Sequence, residues 1–365
     1  MIIGVPKETK ADEYRVAMLP VGAQLLAQDG HTVLIEHDAG LASGFDDKEY
    51  LDAGAQIAQT ADDIYARAEL VVKVKEPQPP EIARFRKGQI VFCFFHFAAS
   101  RQLTEGCLNT GITAVAYETL RDPNGRLPLL TPMSEIAGKM SVQEGAKYLE
   151  KPMMGRGILL GGVAGVAPAN VLILGGGVVG TNAARVAAGM GADVTIMDID
   201  LNRLRYLDEV MPANVTTVYC DPHTVRDHAI DADLVIGAIL IPGGRAPTLI
   251  GKELLSKMKP GSVIIDVCID QGGCIETARP TTHHDPTYII DGVVHYCVTN
   301  MPGAVGRTSS LALCNATLPY VRELAAGGVE KFTVADAGHA AAINIKHHRL
   351  VLEAIATVFP DLPKA

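Results

Sequence analysis

The sequence has no basic excess, no closely spaced cysteine pairs, no internal repeat and no low-complexity tract. Its 32 Lys and Arg are outnumbered by 41 Asp and Glu, for a formal net charge of −9. A nucleic-acid or anionic-membrane partner would need a basic face for counterion release, so neither is expected. An anionic substrate must then be attracted locally, by a few placed cations. The seven cysteines, at positions 93, 107, 220, 268, 274, 297 and 314, are scattered and none has CxxC spacing. Neither a disulfide framework nor a zinc site is expected from them, and they read as reduced thiols of a cytoplasmic protein. The adjacent pairs His283-His284 and His347-His348 lack the helical spacing of metal ligands, so no metal is expected. The start, MIIGVPKETK, lacks the basic n-region and long apolar h-region of a signal peptide and reads as a first strand.

One segment lacks charge altogether. Residues 157–180 carry none across 24 positions, a length that spans a bilayer. Eight of those positions are Gly and one is Pro168, and both types disfavour a helix. Loop, turn and buried strand are expected there.

What is present is an ordinary globular balance, with 48% apolar and 20% charged residues. The length of 365 residues points to two domains. Short apolar runs at 2–5, 32–36, 69–75 and 89–95 alternate with helix-like segments such as 20–29 and 61–66. The rhythm restarts at Asn170 through VLIL, DVTIM, TTVY, DLVIGA, SVIIDV and VVHYC. Two such series predict an α/β fold of two Rossmann-like domains, with mainly parallel sheets and a cleft between them. Between the series, 134–149 reads as a helix capped by Ser134, with Ile136, Met140 and Leu149 on a buried stripe. Past Pro302 the pattern predicts helices at 309–324 and 343–358 without strands of their own, packed back on one of the domains.

Gly175-Gly-Gly177-Val-Val-Gly180 follows the strand-like run 171–174 and opens a helix near Thr181. In this context the first Gly makes the tight turn and the second lets the backbone approach a pyrophosphate. The third permits close helix packing, with the helix N-terminus facing the phosphates. The next apolar run ends at Asp198, 18 residues past Gly180. An acidic residue there accepts hydrogen bonds from the adenosine ribose hydroxyls and repels a 2′-phosphate, which favours NAD over NADP. Arg203 is near enough in sequence to accommodate such a phosphate.

Lys75, His96 and Asp270 stand at the C-terminal ends of apolar runs, and Arg15 follows the first of them. In open α/β sheets the ligand crevice lies at that edge, so residues far apart in sequence can converge there. Arg15 suits a two-bond grip on a carboxylate, and Lys75 suits a carboxylate or keto oxygen. His96 is a natural proton shuttle. Asp270 suits a hydrogen bond to a reacting hydroxyl, water or amine beside a nicotinamide, although Gly272-Gly273 also makes it a plain turn residue.

These blocks resemble the alanine dehydrogenase/transhydrogenase family, on its alanine dehydrogenase branch. The matching residues are GVPKET with Glu13-Tyr-Arg15-Val-Ala, Val72-Lys-Val-Lys75-Glu-Pro, Phe95-His96-Phe-Ala-Ala-Ser, Ala116-Tyr-Glu-Thr and Pro132-Met-Ser134-Glu. GGGVVG, Asp266 through Asp270-Gln-Gly-Gly-Cys274, and Thr299-Asn300-Met-Pro302 continue the match in order and spacing. The resemblance implies an NAD-dependent L-alanine dehydrogenase, reversibly converting L-alanine to pyruvate and ammonia. The alternatives are a dehydrogenase of another small L-amino acid, or an NAD(H)-binding module related to proton-translocating transhydrogenase. It implies Arg15 and Lys75 as substrate-binding and His96 and Asp270 as catalytic. It places Asp198 on the ribose, and Met133, Ser134 and Asn300 near the nicotinamide. Gly175, Gly177, Val178, Val179, Gly180, Arg203, Cys220, Ile239, Leu240, Val267, Asp270, Val298 and Met301 complete the cofactor set. It further implies a substrate-binding domain of 1–128 plus 307–365, an NAD-binding domain of 129–306, and a homohexamer. The chain departs from the family's pattern at Ala342 through Leu350, where relatives resemble GLNTYKGKL, and at Ala164, where Pro is usual.

Overall fold

The computed structural model describes residues 1–241 and 246–365. In chain order its strands are β1 (Ile2–Val5), β2 (Thr32–Glu36), β3 (Gln56–Ala58), β4 (Leu70–Val72), β5 (Ile90–Cys93) and β6 (Thr113–Ala116). There follow β7 (Asn170–Leu174), β8 (Asp193–Asp198), β9 (Val215–Tyr219), β10 (Leu234–Gly237), β11 (Val263–Asp266), β12 (Thr287–Ile290) and β13 (Val293–Tyr296). The last two are β14 (Ile343–Lys346) and β15 (Arg349–Leu350). The chain forms two compact units, 1–133 with 303–365, and 134–302. The divisions fall inside the helix Thr131–Tyr148 and the 3-10 turn Met301–Val305, a few residues from the expected 128/129 and 306/307. That helix starts three residues before Ser134, so Ser134 sits in its first turn and does not cap it.

In the first unit the sheet order is β15-β14-β6-β5-β4-β1-β2-β3. Strands β1 to β6 are all parallel. The order reverses between β1 and β4, the switch point of a doubly wound sheet. Parallel strands are covered on both faces, which explains why β4, β5 and β6 are buried at every position.

The C-terminal segment differs from the expected helix at 343–358. It forms the short helix Ala337–Ala342, the antiparallel hairpin β14–β15, and the helix Glu353–Val358. β14 adds antiparallel to β6 and extends the sheet. The hairpin turns on His347 and His348, whose φ angles are 51° and 59°. Two left-handed residues match the twist of the flanking strands, but the usual signal for such a turn is Asn-Gly. His348 Nδ1 donates to the Leu108 carbonyl at 2.8 Å, which anchors the turn.

The second unit orders its strands β12-β13-β11-β10-β7-β8-β9, parallel except for the edge strand β12. From β9 inward this is again the doubly wound order, with its switch between β7 and β10. The uncharged segment becomes a tight turn, in which Val163 and Val166 exchange backbone hydrogen bonds, followed by β7 and the start of the helix Val178–Gly189. No helix among the described residues is long and apolar enough to cross a membrane.

Candidate functional site

In the second unit the C-terminal ends of the parallel strands form one edge. Gly175 follows β7, Asp198 ends β8 and Cys220 follows β9. Ile239 and Leu240 follow β10, Val267 and Asp270 follow β11, and Val298 and Asn300 follow β13. Met301 opens the next 3-10 turn, and Ser134 comes from the helix Thr131–Tyr148.

The three signature glycines differ in what surrounds them. Gly175 has φ +107°, and a Cβ there would meet the Ala238 carbonyl at 2.7 Å, across the switch point. A Cβ on Gly180 would lie 1.8 Å from the Gly175 carbonyl oxygen. A Cβ on Gly177 would meet nothing within 4 Å. The first and third glycines therefore serve the protein's own packing, while the second faces open space. No side chain caps the helix Val178–Gly189, so the first-turn amides of Val178, Val179 and Gly180 form an anion-binding end. These features fit a dinucleotide pyrophosphate.

Asp198 is half-buried beside this turn. Its Oδ2 accepts the Gly176 amide at 2.7 Å and its Oδ1 the Asp200 amide at 2.9 Å. Carboxylate oxygens accept more than one bond each, so the group braces the glycine turn and retains capacity for ribose hydroxyls. Arg203 has its own task. Its Nε donates to the Gly176 carbonyl and its Nη2 to Thr181 Oγ1, both at 2.6 Å, and its guanidinium lies 5.0 Å from the Tyr206 ring centroid. A 2′-phosphate would have to compete with those contacts.

The first unit gathers its candidates along its own C-terminal edge. Arg15 is buried, with its Nε and Nη2 gripped by both Glu13 carboxylate oxygens at 2.6 and 2.5 Å, and its Nη1 is 3.0 Å from Met133 Sδ. The guanidinium is thereby oriented by Glu13 through its Nε–Nη2 edge. Lys75, also buried, follows β4 across the switch point, with Glu76 Oε2 4.0 Å from its ammonium. Beneath it, Lys73 is fully buried between Glu8 at 3.2 Å and Glu81 at 2.7 Å. Glu8 also accepts the amides of Val74 at 2.7 Å and Lys75 at 3.4 Å, which ties the backbone of this stretch to the ion network.

His96 ends the run through β5 in a left-handed conformation, φ 52° and ψ 42°. Such a backbone costs about 1–3 kcal/mol outside glycine and needs holding. Glu118, just past β6, does the holding. Its carboxylate accepts the His96 amide at 2.6 Å and the Phe95 amide at 3.2 Å. The imidazole lies parallel to Phe94 with centroids 5.8 Å apart. Crowding by protein atoms lowers its pKa below the ordinary 6.5; Lys75, Lys10 and Arg15 push the same way, against Glu76. The side chain is nonetheless exposed and retains hydration, which weakens both the crowding and the charge effects without reversing their direction. Either way the neutral, proton-accepting form is favoured.

Asp270 is exposed on the 3-10 turn Val267–Gln271. The turn is capped by buried Asp266, which accepts the amides of Cys268 at 3.2 Å and Cys274 at 3.0 Å. The turn closes at Gly272, with φ 91°. A cavity of about 450 Å³ lies elsewhere, lined by Lys87, Gly111, Lys346 and His347 among others. It opens near the first residues of β5 and β6, the opposite edge of the sheet from His96, and so is not the catalytic candidate.

Two sequence profiles match this chain. The one described as "Alanine dehydrogenase/PNT, N-terminal domain" covers residues 4–137, and its C-terminal counterpart covers 141–353. The chain belongs to the alanine dehydrogenase/PNT family. Within the family it is 51% identical over 359 residues to the alanine dehydrogenase of Halomonas elongata, covering 98% of this chain and 97% of that one. A solved L-alanine dehydrogenase superposes with a TM-score of 0.95 at 52% identity, covering 99% of both chains. The transhydrogenase from Sinorhizobium meliloti superposes at 0.81 with 26% identity, covering 97% of this chain and all of that one. Resemblance within the family is therefore stronger on the alanine dehydrogenase side. Glu13 and Glu118 were visible in the matching family blocks, but their contacts to Arg15 and His96 become evident only in the fold.

Proposed function

We propose that this chain is an NAD-dependent L-alanine dehydrogenase, catalysing reversible oxidative deamination of L-alanine to pyruvate and ammonia. The observation that carries the reading is the edge of the first unit, where Arg15, Lys75 and His96 follow β1, β4 and β5 around the switch point. Arg15, oriented by Glu13, holds the substrate carboxylate. Lys75 places a point charge at the keto oxygen of pyruvate. His96, kept neutral by its surroundings, takes the proton that must leave the amine in deamination and returns one in the reverse direction. Asp270 orients the amine or water by hydrogen bonding. Bound NAD supplies the hydride acceptor, and NADH the donor in reverse. The amides of Val178, Val179 and Gly180 and the open face of Gly177 hold its pyrophosphate, and Asp198 its adenosine ribose. Ser134, Cys220, Ile239, Leu240, Val267, Val298, Asn300 and Met301 complete that surface, with Arg203 bracing the turn from behind.

Purified protein assayed for NADH formation against a panel of L-amino acids tests the proposal. Alanine should support the highest kcat/KM. Turnover with a different small amino acid alone would change the substrate, and no amino-acid-dependent NADH formation would sink the reading. A homohexamer in the cytoplasm completes the proposal. It is supported by the sequence resemblance and by the exposed apolar side chains of Leu159, Val163 and Val166, at 66%, 60% and 63% exposure.

A further inference from the structure

The cysteines are scattered in sequence, yet the fold gathers two of them around a carboxylate. Cys268 Sγ lies 2.9 Å and Cys274 Sγ 3.9 Å from Asp266 Oδ1. All three donor atoms lie within 4.8 Å of one another, and all three residues are buried. We propose that Asp266, Cys268 and Cys274 form a binding site for a soft divalent cation of the zinc or cadmium type.

Four observations support the site. The donor set of two sulfurs and one carboxylate oxygen is the kind that zinc and its heavier congeners take in tetrahedral sites. Two sulfurs on one zinc, each bonded at about 2.3 Å, stand roughly 3.8 Å apart, so the ligands need only a small closure. The backbone is already arranged for it, since Asp266 accepts the amides of both cysteines. Glycine makes room on two sides. A Cβ on Gly237 would meet Cys274 Sγ at 2.6 Å and Asp266 Oδ1 at 2.9 Å, and one on Gly273 would meet Asp266 Oδ2 at 2.7 Å. Charge completes the argument. Asp266 is 1% exposed and has no ion pair among the described residues, whereas a buried carboxylate ordinarily acquires a cationic partner or a metal. Three protein ligands leave a fourth position for water or an added ligand.

The position gives the site a consequence. Its two thiols bracket residues 269–273, which carry Asp270, so an ion joining them fixes the turn that presents that carboxylate. Binding of the cation should therefore change turnover, and a chelator should reverse the change.

The test uses the full-length protein, stripped of metal and titrated with cadmium alone. One cadmium per chain should bind and produce the ultraviolet charge-transfer band of cadmium thiolate. Cys268→Ser and Cys274→Ser should each weaken binding at least about tenfold and reduce the band. Cys220→Ser, which removes the one cysteine that is not buried, should leave the band in place. Bound cadmium should also slow alkylation of Cys268 and Cys274 in the wild-type protein, mapped by mass spectrometry, which needs no variant to fold. Absence of the band, its persistence in both serine variants, or unchanged alkylation of the two thiols would overturn the proposal. None of these readouts depends on the role given to Asp270.

Discussion

At the scale of single residues, the first unit's edge is a set of charges held by other charges. Crowding by protein atoms and, after it, the Lys75 ammonium lower the His96 pKa, so the neutral imidazole should persist well below pH 6.5. Modification of His96 by diethylpyrocarbonate, followed by mass spectrometry, tracks that neutral fraction. Its midpoint should lie below 6.5 in the wild type and move up in Lys75→Met, because removing a neighbouring cation stabilises the imidazolium. A midpoint that ignores the substitution would mean that Lys75 does not act on the ring. Glu118 acts differently, through the backbone. Glu118→Gln replaces one accepting oxygen with an NH2 group that faces the Phe95 and His96 amides. A charge-assisted bond of this kind is worth about 1.5–3 kcal/mol, so kcat should fall at least about tenfold with NAD affinity unchanged. A loss of thermal stability with normal kcat would make Glu118 a structural residue only.

Elements show why some of this was legible in advance and some was not. The parallel strands announced themselves as short apolar runs, because a strand covered on both faces has no polar side to show. The glycine turn was legible for a related reason, since backbone geometry there excludes other side chains. It also yields a sharp comparison. Gly180→Ala drives a methyl into the Gly175 carbonyl and should disrupt the turn, lowering both stability and NAD affinity. Gly177→Ala meets nothing in the protein, so it should leave Tm unchanged while raising the KM for NAD. Equal stability and equal KM in Gly177→Ala would remove the pyrophosphate from that face. The β14–β15 hairpin escaped sequence reading because its turn is His-His, and no Gly or Asn marks the two left-handed positions. Those positions remain costly for histidine, so His347→Asn should raise stability by up to about 1 kcal/mol, seen as a higher Tm. The contacts of Glu13, Glu118 and the paired cysteines were hidden for another reason. The Glu118 contact depends on which strand ends the sheet sets side by side, and the other two depend on how a single loop curls back on itself; no spacing rule encodes either.

For the molecule as a whole, the two units repeat one architecture with different chemistry along the same kind of edge. One edge carries cations and a histidine, and the other carries an uncapped helix end and an acid. The proposed hexamer is tested by light scattering coupled to gel filtration at micromolar concentration. Six copies per particle are expected, and a monomer across that range would discard the assembly.

The return of the chain to its first sheet also sets an order on synthesis. Residues 134–302 are continuous and can fold as soon as they leave the ribosome. The unit that begins at residue 1 must wait, because β14 pairs with β6 only after some 230 further residues have been added, the separation between Thr113 and Ile343. Until then the outer edge of β6 presents unpaired backbone groups, a template for pairing with other chains. A nascent chain stalled before residue 343 should therefore carry one finished unit and one unfinished sheet. Chaperone engagement during translation is expected to concentrate on the part of the protein made first.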